Sequence, residues 1–217
     1  MIRKKTQNKE QSKVKLSNSA LILDAIMIRQ SYMQKVKEKL SASSILVKEF
    51  PICAGKAKAD IALIENSKLT GIEIKSDRDS LQTLRRQTVY YDYTFDELVV
   101  ICTKKYLNGV EERVPSFWKI IVAESIEGNE IQFKTHREGS QNPYRLTKHI
   151  ATLLEEQDLI SLLSAYYPEE DLKLLSKQEL YLKTAQYFAP DEMRDFAIEA
   201  IKNDPRNEFF ETKPYSG

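Results

Sequence analysis

Cysteine is scarce. The 217 residues hold two, Cys53 and Cys102, each inside an apolar, strand-like run and without C-x-x-C spacing. That pattern argues against a disulfide framework and against a zinc site. Histidine is equally rare: His136 and His149 share no metal-ligand motif and read as surface or packing residues. No uninterrupted apolar run approaches the roughly 18–20 residues of a transmembrane helix. The opening stretch MIRKKTQNKEQSKVK has no apolar segment of the secretory kind behind it. A cytoplasmic protein without membrane contact is therefore expected. Internal repeats and low-complexity tracts are also lacking.

What is present is an ordinary soluble composition, 41% hydrophobic and 30% charged. The length suits one large domain, or a medium domain with an appendage. The net charge of +1 conceals an asymmetry. Residues 1–150 carry 26 Lys and Arg against 18 Asp and Glu, whereas residues 151–217 carry 7 against 14. The first part suits a polyanionic partner; the second is poorly suited to phosphates.

Residues 1–15 hold six basic residues and one acid. They read as a flexible basic arm, either a solubilising tail or a nucleic-acid-binding arm. Residues 16–142 form the main domain. Apolar residues from Leu21 to Leu40 recur at helical spacing, with Ser17, Asn18 or Ser19 as the cap. The period then changes: 43–53, 58–66 and 69–77 read as strands, and 79–95 as a helix. The nearly all-apolar run ELVVICT (97–103) reads as a strand buried on both faces. Residues 116–125 and 130–137 read as strands around the turn Glu127-Gly128-Asn129. Residues 143–217 form an acidic helical subdomain. It holds one helix over 146–163, a capping box at Ser176-Lys177-Gln178-Glu179, and a last helix opened by Pro190 that carries Met193, Phe196, Ala197 and Ile201.

The chemistry concentrates on one hairpin. If Asn66-Ser67 is a two-residue turn, Glu65 faces Lys68, Ile61 faces Ile72 and Asp60 faces Glu73. Two carboxylates opposite each other repel, and Lys75 shares the face of Glu73. A hard divalent cation would compensate them. Magnesium takes one or two carboxylates and leaves room for a substrate phosphate. It can polarise a phosphoryl oxygen and lower the pKa of a water, and a lysine can orient that water or stabilise developing charge. The plain alternative is a salt bridge between strand residues, and spacing alone does not choose.

The order helix, three-strand meander, helix, strand over 19–103, with Asp60 on the second strand and Glu73-Ile74-Lys75 on the third, resembles the PD-(D/E)XK nuclease superfamily. Ala59 stands where the motif names proline. The pair Gln87 and Tyr91, four residues apart, resembles the motif that follows E-x-K in RecB-like and MmcB-like members. Residues 58–61 (KADI), 71–91 and 114–118 (VPSFW) are similar to a group of small bacterial nuclease-like proteins. The resemblance implies an α/β, restriction-endonuclease-like mixed sheet with extra strands and a C-terminal helical appendage. It implies a Mg2+-dependent deoxyribonuclease, with Mn2+ able to substitute. Asp60, Glu73 and the Ile74 carbonyl would bind the metal, Lys75 would assist the water, and Gln87 and Tyr91 would position the site or the DNA.

Further residues carry two readings each. Glu49 is another metal ligand or an exposed strand acid. Lys58 touches phosphate or is solvated, and Arg85 and Arg86 likewise. Glu38 approaches the site only if the first helix is rotated toward it. Asp79-Ser80-Leu81-Gln82 reads as a capping box, and Trp118 and Phe117 as core. The alternative function is a catalytically silent nuclease-fold protein that binds DNA or a protein. The C-terminal helices would then serve a homo-oligomer or a protein partner.

Overall fold

The computed structural model describes residues 22–41, 43–126 and 130–204. The basic arm, the caps Ser17, Asn18 and Ser19, and the turn 127–129 lie outside the described residues. The chain forms a mixed α/β fold around one six-stranded mixed sheet with the strands in sequence order. Helix α1 spans Ala25–Lys37. Strands β1 (Ile45–Ile52), β2 (Ala57–Glu65) and β3 (Lys68–Lys75) form an antiparallel meander. Helix α2 (Leu84–Asp92) leads to β4 (Glu97–Thr103), parallel to β3. After the short helix α3 (Leu107–Glu111), β5 (Lys119–Ser125) adds in parallel and β6 (Ile131–Arg137) antiparallel.

The alternation of β4 explains its burial on both faces. Val99 and Ile101 join Ile61, Ile72 and Ile74 under α1, with Ile28 and Met33 above them. Leu98, Val100 and Cys102 point the other way and meet Leu84, Tyr91, Phe95 and Trp118. The sheet is thus covered by α1 on one face and by α2 with later helices on the other. Trp118 is fully buried in that second layer, its indole N–H donating to Asp92 Oδ1 at 2.7 Å.

Several element boundaries differ from the sequence reading. Helix α1 starts at Ala25 because the Asp24 carboxylate accepts from the Met27 amide at 2.9 Å. The capping box expected at Asp79 does not form. The Asp79 carboxylate instead accepts from the Ser76 amide (2.7 Å) and hydroxyl (2.6 Å), and α2 begins only at Leu84. The single helix expected over 146–163 is broken. Helix α4 (Thr147–Ile150) passes into a 3-10 turn, Leu154 and Glu155 are extended, and α5 (Glu156–Leu163) begins with a Glu155/Asp158 capping box. That local acid pair caps a new start where the apolar period had suggested continuity.

Helices α6 (Glu169–Leu172), α7 (Lys177–Tyr187) and α8 (Pro190–Asn203) complete the chain. The Ser176/Glu179 capping box opens α7, and Pro190 is the first residue of α8. Ile150, Leu159, Leu163, Leu180, Met193 and Ala197 form a separate apolar cluster. Ile198 and Ile201 of α8 instead join the cluster on the sheet. Among the described residues, no helix is long and apolar enough to cross a membrane.

Candidate active site

The β2–β3 hairpin turns at Asn66 and Ser67, both in left-handed backbone (φ 50° and 57°). This is the two-residue turn whose twist matches antiparallel strands. It fixes the register Glu65–Lys68 through Ile61–Ile72. Beyond Ile61–Ile72 the two strands share no further register partners, and the Asp60 carboxylate takes over a backbone bond, with Oδ2 accepting from the Ile74 amide at 2.7 Å. An amide and carbonyl of one strand residue project to the same edge. The Ile74 carbonyl therefore faces the side on which Asp60 lies.

On the α2 face of β3, Glu73 and Lys75 are both buried and pair at 2.7 Å. Gln87 bridges them: its Nε2 donates to Glu73 Oε1 at 2.9 Å, and its Oε1 accepts from Lys75 Nζ at 3.1 Å. The Tyr91 hydroxyl donates to Glu73 Oε2, and the Lys58 carbonyl lies 3.3 Å from the same hydroxyl. The four-residue step of α2 thus sets both side chains on the carboxylate of β3. The ring of Tyr91 is locked between Phe95 and Trp118. Burial and the Glu73 carboxylate hold the Tyr91 phenol well above its ordinary pKa, so it remains a donor. Asp60 is pushed up to about 6, first by burial and then by the charge of Glu73.

The structure therefore brings together Asp60, Glu73, Ile74, Lys75, Gln87 and Tyr91. It turns Glu49 elsewhere. The Glu49 carboxylate pairs with Arg29 of α1 and, at 2.7 Å, with Lys58. Among the described residues no three His, Cys, Asp or Glu side chains gather as a metal-holding group, so Glu49 does not join Asp60 and Glu73 in a three-acid cluster. Arg85 and Arg86 are exposed on α2. Glu38 caps the far end of α1 and is exposed. Arg29 was missed by sequence reasoning, because its relation to the sheet depends on a helix rotation that local periodicity does not contain. A groove of about 1110 Å³ lies apart from this group, between β1 and the C-terminal helices, lined by Phe50, Leu154, Tyr181 and Phe196 among others.

Oxygen chemistry at this point fits a hard divalent cation. Two carboxylates and a backbone carbonyl belong to the donor class that magnesium takes, with water completing the set. The upward push on Asp60 comes first from burial and then from the Glu73 charge, and it outweighs the opposing charges of Lys75 and Arg29.

Residues 23–213 match the family model described as bacteriophage P4 protein cII. Protein cII of Enterobacteria phage P4 is 27% identical over 172 residues, covering 77% of this chain and 62% of that protein. The chain thus spans less than two thirds of the curated relative's length. A solved structure of a protein of unknown function from Silicibacter pomeroyi aligns with a TM-score of 0.35 and 17% identity, over 45% of this chain and 61% of its own.

Proposed function

The chain belongs to the bacteriophage P4 protein cII family, and for this member we propose, from its site chemistry, a metal-dependent nuclease that hydrolyses DNA phosphodiester bonds. One observation carries the reading. Asp60 and the Glu73–Lys75 pair converge where the β2–β3 ladder ends, with Gln87 and Tyr91 bonded to them from α2. Ordinary strand salt bridges are solvated; this one is buried and has dedicated partners. The succession of α1, three antiparallel strands, α2 and a parallel strand supports a restriction-endonuclease-like topology.

In this reading Asp60, Glu73 and the Ile74 carbonyl hold Mg2+, with Mn2+ able to substitute. The ion would polarise a phosphoryl oxygen and acidify a water. Lys75 is fixed by Glu73 and Gln87, so its ammonium is preorganised to orient that water or to stabilise developing negative charge. Tyr91 and Gln87 hold the Glu73 carboxylate in one orientation, which removes reorganisation when charge develops. Lys58 and Arg86 are the DNA-facing cations of this reading.

A second reading has its own observation. Both oxygens of Glu73 already accept internal hydrogen bonds, and Lys75 is only 6% exposed. A group satisfied in this way can be a structural relic in a protein that binds DNA, or a protein through the C-terminal helices and their groove, without cutting. The deciding experiment is a cleavage panel of duplex, branched and single-stranded DNA with Mg2+ or Mn2+. Metal-dependent cleavage that is lost in both Asp60→Ala and Lys75→Ala supports the nuclease. Equal behaviour of wild type and both variants rejects it.

A further inference from the structure

Glu49 lies in the β1–β2 ladder between the pairs Lys48–Ile61 and Phe50–Ala59, directly across from Asp60. Its backbone is left-handed, φ 52°, in the middle of a strand. Such a conformation is strained for a non-glycine residue. It also shifts the side-chain alternation, so that Ile45 and Val47 before it and Phe50 and Ile52 after it all face the same core. Glycine would fit this backbone more cheaply, yet a glutamate stands there. Its one carboxylate is shared by two cations, Arg29 from α1 and Lys58 from β2. The carboxylate is 44% exposed and the Lys58 side chain 57%, so the cluster opens to solvent. Arg29 is more enclosed, at 17%, and its charge also acts on Asp60.

Two cations converging on one pair of acidic oxygens is the arrangement that binds a phosphate. We infer that Arg29 and Lys58 form a phosphodiester-binding site beside Asp60, and that Glu49 occupies it as an internal stand-in until a nucleic-acid strand displaces it. The inference rests on the proposed DNA substrate, because it sets a backbone phosphate next to the candidate metal ligands. Glu49 is then a positioning residue that tunes affinity, and Arg29 a substrate-binding one. The triad carries one net positive charge, and release of Glu49 raises that to two toward the strand.

The test is fluorescence anisotropy with a fluorescein-labelled DNA duplex and a labelled single strand, in EDTA, across a salt series. Arg29→Ala and Lys58→Ala each weaken binding by about tenfold and lower the salt slope by about one. Glu49→Gln and Glu49→Gly both tighten it several-fold. Arg29→Lys, which keeps the charge and spares the fold, retains most of the affinity. Wild-type affinity and slope in Arg29→Ala and Lys58→Ala, no tightening in the Glu49 variants, or no binding by any form each overturn the inference. Because EDTA removes the chemistry, failure of this site is separable from failure of the nuclease reading. Cleavage with unresponsive binding rejects only the site, and responsive binding without cleavage rejects only the nuclease.

Discussion

Asp60 and Glu73 show what a single carboxylate does when its surroundings change. Glu73 has a lysine, a glutamine amide and a phenol around it. Asp60 has one backbone amide, and its carboxyl rises to about 6. In the unfolded chain it titrates near 3.8. Between those two values the folded protein holds the extra proton, so the Asp60 contribution to stability falls as pH rises from about 4 to about 6 and is level above. The ionised group costs up to about 3 kcal/mol. Asp60→Asn should therefore be more stable than wild type at pH 7.5 and show a shallower slope, the rest kept by Asp92, whose carboxyl burial also pushes up to about 6; urea melts at pH 4, 5, 6 and 7.5 will measure both. Bound Mg2+ should offset the same cost, raising the melting temperature of wild type at pH 7.5 but not that of Asp60→Asn; equal shifts in both would count against Asp60 as a ligand. Tyr91→Phe leaves a buried carboxylate oxygen without its donor and should destabilise the fold by about 1–3 kcal/mol, read in the same melts.

At the scale of elements, the hairpin was legible because its turn and its alternation agree. Asn66-Ser67 fixed the register, and a period of two put Glu73 and Lys75 together. The four-residue helical step did the same for Gln87 and Tyr91. What local pattern could not supply was the angle between elements. Arg29 meets Glu49 only because α1 packs across the sheet with Ile28 and Met33 inward. Helix ends also depend on local side-chain bonds that the apolar period does not contain: Asp79 turns back to Ser76, and Glu155 with Asp158 caps a new start. The left-handed Ser67 is a non-glycine in a turn that favours Asn-Gly. Ser67→Gly should thus stabilise by about 0.5–1 kcal/mol, the relieved strain less glycine's added chain entropy. Gly71 behaves oppositely, because a Cβ there would enter the Phe95 ring. Gly71→Ala should cost about 1–3 kcal/mol by overpacking, and chemical denaturation of the two variants side by side checks both signs.

The whole molecule is joined at Asp96. This buried carboxylate begins at the base of β4 and accepts from the Leu69 amide at 2.8 Å, which ties β3 to β4. It also pairs with Arg145, just beyond the expected domain boundary at residue 142, and with Arg194 of α8 at 3.2 Å. Asn142 reinforces the joint, donating to the carbonyls of Asp92 and Phe95 at 2.6 and 2.7 Å. The acidic helices therefore dock through two of their few arginines, while Asp191 on the surface shares both. Removing Asp96 leaves two largely buried guanidiniums facing the exposed acids Asp191 and Asp195. Breaking a buried ion pair from one side costs about 3–5 kcal/mol, and the remaining Asp191 and Asp195 reduce that. Asp96→Ala should lower stability by about 2–4 kcal/mol and speed amide exchange in both α8 and the Leu69 end of β3. Arg194→Ala keeps the Arg145 pair and should loosen α8 alone. Hydrogen exchange read by mass spectrometry separates the two: exchange confined to α8 in both variants would mean that Asp96 serves the helices without linking them to the sheet.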